Sequence, residues 1–118
     1  YDPWMATNGV IQHLEKVGYY NILDPIAQTI TYLSEPTKDL QKRLQRRELD
    51  LMNNPVLRWM FRNVAIYTDP NLNIRLNKAK STEKIDGCAA SVNAIAGYIS
   101  KTANTREAYA GGREIKVI

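Results

Sequence analysis

Apolar residues recur at helical spacing in the opening stretch, where Val10, Ile11, Leu14 and Val17 fall on one face of a helix over residues 5–17. Gly18 supplies its C-terminal stop. The next run, Tyr19-Tyr20-Asn21-Ile22-Leu23, is rich in β-favouring residues and closes on the turn-prone pair Asp24-Pro25, which predicts a strand. A helix followed by a strand points to an α/β layer. Ser34-Glu35-Pro36 has the chemistry of a helix start, because a Ser hydroxyl accepts from an early backbone N–H and Pro is tolerated in the first turn. The helix so predicted runs to about residue 47, with Thr37, Leu40 and Leu44 inward and Lys38, Lys42, Arg43, Arg46 and Arg47 around them.

Asn54-Pro55 predicts a further helix, with Asn54 capping, Pro55 in the first position, and Val56, Trp59 and Met60 on one face. Val64 and Ile66 then alternate with Ala65 and Tyr67, and a second strand follows at residues 74–76, so the polar run Asp69-Pro70-Asn71-Leu72-Asn73 becomes a hairpin tip. Asp69, beside a proline, reads as a turn residue rather than a metal ligand. The last long helix is expected from near Thr82, carrying Ile85, Ala89, Val92, Ala96 and Ile99 in a continuous stripe. Gly87, Ala90, Ser91, Ala94 and Gly97 beside it are small enough to bring that helix close to a sheet. From Thr102 the chain turns polar and contains Gly111-Gly112, which predicts a loosely held tail with at most a short strand at residues 115–118.

Composition narrows the class. A chain of 118 residues fits one domain or part of one. Its 44% hydrophobic and 24% charged residues are too apolar a mixture for a disordered chain. No apolar run approaches the roughly 20 residues of a membrane span. The opening Tyr1-Asp2-Pro3-Trp4 reads as a cut from something longer. Cys88 is the only cysteine, so it forms no internal disulfide, and with the distant His13 it makes no zinc site. It reads as a buried inert thiol in a reducing cytoplasm. The net charge of +4 and the pI near 9.3 suit an anionic partner. The basic run around residues 38–47 has two readings, a solvated face and a phosphate contact, of which the first is the more usual. No Walker-type loop, nucleophile elbow or paired-cysteine motif occurs, so nothing points to an ATP site or covalent catalysis.

Candidate chemistry gathers at Lys78-Ala79-Lys80-Ser81-Thr82-Glu83-Lys84-Ile85-Asp86-Gly87, where three lysines precede a carboxylate at the start of an apolar helix. The macrodipole alone favours Asp86 there, so capping is one account. The other starts from its place one residue from the apolar stripe, at the rim of the core, where a carboxylate needs a cation or donors. A divalent metal is such a partner, since Mg²⁺ takes oxygen ligands from one or two carboxylates together with water and phosphate oxygens. Asp2, before a helix, is either a turn or cap residue or a side chain at the ligand-binding edge of an α/β sheet. His13 has no nearby nucleophile or second ligand, and Trp4 and Trp59 read as core anchors.

The order of these segments resembles the end of tailed-phage terminase large subunits. The residues that carry the resemblance are Asn54-Pro55-Val56-Leu57-Arg58-Trp59, Asn63-Val64, Thr68-Asp69-Pro70 with Asn73-Ile74, residues 78–80, and Ser81-Thr82-Glu83-Lys84-Ile85-Asp86-Gly87. Tyr1-Asp2-Pro3-Trp4 and Leu33-Ser34 add to it, and the match spans residues 1 to about 100. The resemblance implies an α/β, ribonuclease H-like mixed sheet flanked by helices and truncated at its N-terminal side, with the nuclease part at residues 1–102 and the polar tail at 103–118. It implies a metal-dependent DNA endonuclease that cuts concatemeric double-stranded DNA during phage genome packaging, in the cytoplasm of an infected or lysogenic bacterium. Mg²⁺ or Mn²⁺ would serve as a two-metal site, with Asp86 matching the family's C-terminal acid and Asp2 the acid after its middle strand. Lys78, Lys80 and Lys84 would guide the DNA backbone. The terminase small subunit and the portal protein are the implied partners, with no membrane involved. The family's first catalytic aspartate and its ATP-hydrolysing motor domain lie upstream of the residues present, so the chain alone is expected to cut poorly. The competing reading is a non-catalytic α/β nucleic-acid-binding or prophage-remnant module, in which the lysines contact phosphate and the carboxylates cap.

Overall fold

The structure is a computed structural model that describes residues 1–3 and 8–110, with side chains through residue 106. Helix α1 (Asn8–Lys16) ends as the sequence predicts: Gly18 has φ +98°, its N–H bonds the Glu15 carbonyl at 3.1 Å, and the Tyr19 N–H reaches back to Leu14 at 3.0 Å. That pair of bonds caps the helix through a left-handed residue, a conformation that suits glycine. Of the predicted stripe only Ile11 is buried, Leu14 is half-buried, and Val10 and Val17 are exposed.

The predicted strand at residues 19–23 is instead a 3₁₀ turn, Tyr20–Ile22, with Tyr19, Tyr20 and Ile22 exposed. β propensity is the ability to fit a half-buried pleated surface, and among the described residues no sheet lies against these side chains. Extended pairing occurs just beyond. The Tyr1 amino group donates to the Asp24 carbonyl and the Ile26 N–H to the Tyr1 carbonyl, both at 2.7 Å. One residue bonded to the two neighbours of another is the parallel pattern, and α1 is the connection between the two segments.

Helix α2 (Ile30–Gln45) begins earlier than the sequence predicts. Thr29 is its N-cap and accepts from the Tyr32 N–H at 3.3 Å, so Pro36 lies inside the helix. Ser34 is buried there and its hydroxyl serves another element, which is why its capping signature misleads. Thr37 and Leu40 face inward as expected. Helix α3 (Pro55–Asn63) matches its prediction: the Asn54 side chain accepts from Val56 and Leu57 N–H at 3.0 and 3.1 Å. Trp59 is 43% exposed and is not the core anchor expected of it, and Trp4 lies outside the described residues.

Strands β1 (Ile66–Thr68) and β2 (Ile74–Leu76) form the predicted antiparallel hairpin, with Tyr67 opposite Arg75. Asp69 closes its tip, accepting from the N–H groups of Asn71 and Asn73 at 2.9 and 2.8 Å and from the Asn73 amide at 3.0 Å. These bonds, led by that of the Asn73 side chain, hold its carboxyl below the usual range.

Helix α4 (Asp86–Ala110) starts later than Thr82 because the preceding loop is tied elsewhere: Ser81 bonds the Asn77 carbonyl through N–H and hydroxyl, and the Thr82 N–H reaches Asn63. It continues past Thr102 to Ala110 as a helix, while the strand expected at residues 115–118 lies outside the described residues. The core runs along α4 through Ile85, Cys88, Val92 and Ala96 and meets Leu40 of α2 and Ile26. Cys88 is fully buried as expected, and burial pushes its thiol up to about 11. Among the small residues, Gly87 meets α3 rather than a sheet, and Gly97 has open space beside it. The described residues thus form a mixed α/β domain, mostly helical, around one two-stranded antiparallel sheet.

Candidate functional site

A cleft of about 560 Å³ opens where the start of the chain, the end of β2 and the first turns of α4 meet. Asp2, Asp86, Arg75, Asn77, Lys78 and Asn93 line it. Two aspartates from distant parts of the sequence therefore border one space, together with two cationic residues.

Each is placed by local structure. Asp86 is the first residue of α4, where the helix N-terminus favours a negative charge. Asp2 follows Tyr1, which the paired bonds to Asp24 and Ile26 hold in place. Arg75 sits on β2 with its guanidinium 5.5 Å from the ring centroid of its cross-strand partner Tyr67, a cation–π stack. Lys78 follows β2 in the turn that Asn77 organises by accepting from the Lys80 N–H at 3.2 Å. Gln28 braces the opposite wall, donating to the Ile26 carbonyl at 2.8 Å and to the Asn93 side-chain oxygen at 3.1 Å.

Of the sequence-predicted site residues, Asp2, Asp86 and Lys78 come together in this cleft. Lys84 lines an adjoining groove that Asp86 and Lys78 also border. Lys80 is exposed on the turn and lines neither. Asp86 is more exposed than its position beside the apolar stripe suggests, because the residue before it, Ile85, takes the buried place at 2% exposure. Burial therefore imposes no demand for a counter-ion on Asp86, and what singles it out is the company it keeps in the cleft.

Two aspartates with room for water and a phosphate suit a hard divalent cation, while the amide oxygens of Asn77 and Asn93 are engaged by the Lys80 N–H and by Gln28. Among the described residues no group of three or more His, Cys, Asp or Glu forms a ready-made cage. Asp2 and Asp86 are therefore the protein's acidic contribution here. His13 is exposed on α1, as its reading as an ordinary residue implies.

Sequence reasoning did not find Arg75, Asn77, Gln28 or Asn93. An arginine between Ile74 and Leu76 with an aromatic residue across the hairpin is a usable signal for the first. The amides have none, since only the tertiary fold brings them to the cleft. The basic run of α2 is partly spoken for: Arg43 bonds Asp39 at 2.7 Å and stacks on Tyr98 at 5.4 Å.

Comparison with known proteins agrees with the sequence pattern. A family model described as the terminase large subunit, endonuclease domain, matches residues 1–101. Neither the curated proteins nor the solved structures gave a match. No helix among the described residues is long and apolar enough to cross a membrane.

Proposed function

The chain belongs to the terminase large-subunit endonuclease domain family, and from that premise we propose that it is part of a metal-dependent endonuclease that cuts concatemeric double-stranded DNA during phage genome packaging. The observation that carries this reading is the meeting of Asp2 and Asp86 in one cleft with Arg75 and Lys78.

Asp2 and Asp86 would hold Mg²⁺ or Mn²⁺. Ions of this kind favour attack by water on the phosphorus and stabilise the departing oxygen. The side chains around them handle the substrate. Lys78 and Arg75 supply positive charge at the wall of the cleft, where a phosphodiester would approach the carboxylates. Lys84, in the adjoining groove, and Lys80, on the exposed turn, would extend that charge along the DNA backbone. The Tyr67 ring orients the Arg75 guanidinium before substrate arrives, which lowers the entropic cost of the contact.

The parallel pairing of Tyr1 with Asp24 and Ile26 through a helical connection supports a ribonuclease H-like sheet in the intact protein. In that setting the partners are the small subunit and the portal, ATP belongs to the motor domain, and the compartment is the bacterial cytoplasm. The test is plasmid cleavage by the intact protein that carries this domain, with Mg²⁺ or Mn²⁺ supplied, against its Asp86→Ala variant. Loss of cutting of at least about a hundredfold is expected from removing a metal ligand. Cutting retained by the variant would remove Asp86 from the catalytic assignment, whereas a wild type that cuts with neither metal would leave a domain that binds DNA without cleaving it.

A further inference from the structure

The N-terminus of α4 has no side-chain cap from the residue before it. Ile85 stands there, its carbonyl accepting from the Ala89 N–H at 3.0 Å, and an isoleucine side chain offers no acceptor. The first N–H groups of a helix have no partner within it. That of Gly87 is taken up from another helix: it donates to the thioether sulfur of Met60 on α3, with N···S 3.2 Å.

The approach that makes this bond depends on the residue type at position 87. A Cβ built there would lie 2.8 Å from Met60 Sδ and 2.8 Å from Leu57 Cδ1, well inside the separation at which such atoms attract. Any side chain larger than hydrogen displaces the Met60 sulfur and the Leu57 methyl from their places against the start of α4. Asp86 precedes Gly87 in the same turn, so the contact that fixes the height and rotation of that turn also fixes where the Asp86 carboxylate enters the cleft.

We propose that Met60 is a positioning residue for Asp86, its sulfur holding the Gly87 N–H so that the carboxylate is set for a divalent cation before one binds. The inference rests on the reading of Asp86 as a metal ligand. It adds that the ligand's placement depends on a hydrogen bond from α3, and not only on apolar packing between the two helices. Two substitutions separate those roles. Met60→Leu keeps a similar apolar volume and offers no acceptor, whereas Met60→Gln offers a carbonyl oxygen at similar reach.

The experiment is calorimetric titration of the intact protein with Mn²⁺ alone, with each variant's melting midpoint measured in metal-free buffer. Asp86→Asn defines the Asp86-dependent binding. Met60→Leu is expected to weaken that binding about tenfold, the lower end of the loss seen when a ligand's supporting contact is removed. Its metal-free melting midpoint should stay close to wild type, and Met60→Gln should restore affinity. Wild-type affinity in Met60→Leu, alongside loss in Asp86→Asn, overturns the positioning role and leaves the metal reading standing. Weakened binding that Met60→Gln does not restore also overturns it, since packing would then account for the loss. Unchanged binding in Asp86→Asn removes the metal reading and the positioning role with it.

Discussion

The buried Ser34 hydroxyl of α2 accepts a hydrogen bond of 3.1 Å from the Ile74 backbone N–H, joining the helix to the first residue of β2 across 40 positions of sequence. Arg75 is the next residue of that strand, so this bond helps to set the distance between the hairpin and the cleft. Ser34→Ala would leave the Ile74 N–H without its acceptor in a part-buried place. Such a loss costs about 1–3 kcal/mol. Urea unfolding should show a lower midpoint with an unchanged slope. A midpoint equal to wild type would mean that the bond contributes nothing net.

The hairpin tip responds to acid. The bonds that Asp69 accepts, with the Asn73 side chain first, lower its carboxyl from the ordinary 3.8. The unfolded chain therefore takes up this proton first as pH falls. The stabilisation is complete above the unfolded value and is lost as pH drops through the folded one. Melting midpoints measured from pH 5 down to pH 2 should fall more steeply for the wild type than for Asp69→Asn. Parallel curves would show that the tip bonds do not couple to folding.

Ser34 and Asp69 also show how far the sequence could be read. Asp69, Asn54 and Gly18 act on neighbours within a few residues, and each does in the structure what its local pattern predicts. Ser34 offers the same local chemistry as a helix cap but spends its hydroxyl on a distant strand, so α2 starts at Ile30 under Thr29 instead. The run 19–23 fails for a related reason, since β-favouring side chains make a strand only when a sheet receives them. In the candidate site, Asp2, Asp86 and Lys78 were legible through resemblance to a family. Arg75 carried a readable signal in its place across the hairpin from Tyr67, whereas Gln28 and Asn93 reach the cleft through a pairing that no spacing in the chain encodes.

Alkali acts on a different residue. Burial raises the Cys88 thiol from 9.0 to about 11, so the unfolded chain loses this proton at lower pH than the folded one. The contribution is complete below the unfolded value and is lost as pH rises through the folded value. A gap of this size corresponds to about 2–3 kcal/mol once both forms have titrated. The difference in stability between wild type and Cys88→Ala should shift against the wild type between about pH 9 and pH 11. A difference that stays constant over that range would show that the thiol is not held in the protonated form.

The lysines can be ranked by where the fold puts them. Lys78 lines the cleft beside both carboxylates, Lys84 borders the adjoining groove, and Lys80 is exposed on the turn between them. If DNA follows this path, each phosphate contact releases counterions and adds a little under one unit to the salt slope of binding. Replacing Lys78 and Lys80 by Ala together should then flatten the slope by about one to two units and weaken binding similarly on all sequences. Arg75→Ala should add to that loss, and Arg75→Lys should not fully repair it, because a lysine lacks the planar fork that stacks on Tyr67. Salt slopes measured by fluorescence anisotropy on a short duplex, with Ca²⁺ in place of a catalytic metal, read these contacts without cleavage. A double variant with the wild-type slope would place the DNA elsewhere on the surface, with the basic face of α2 the next surface to test.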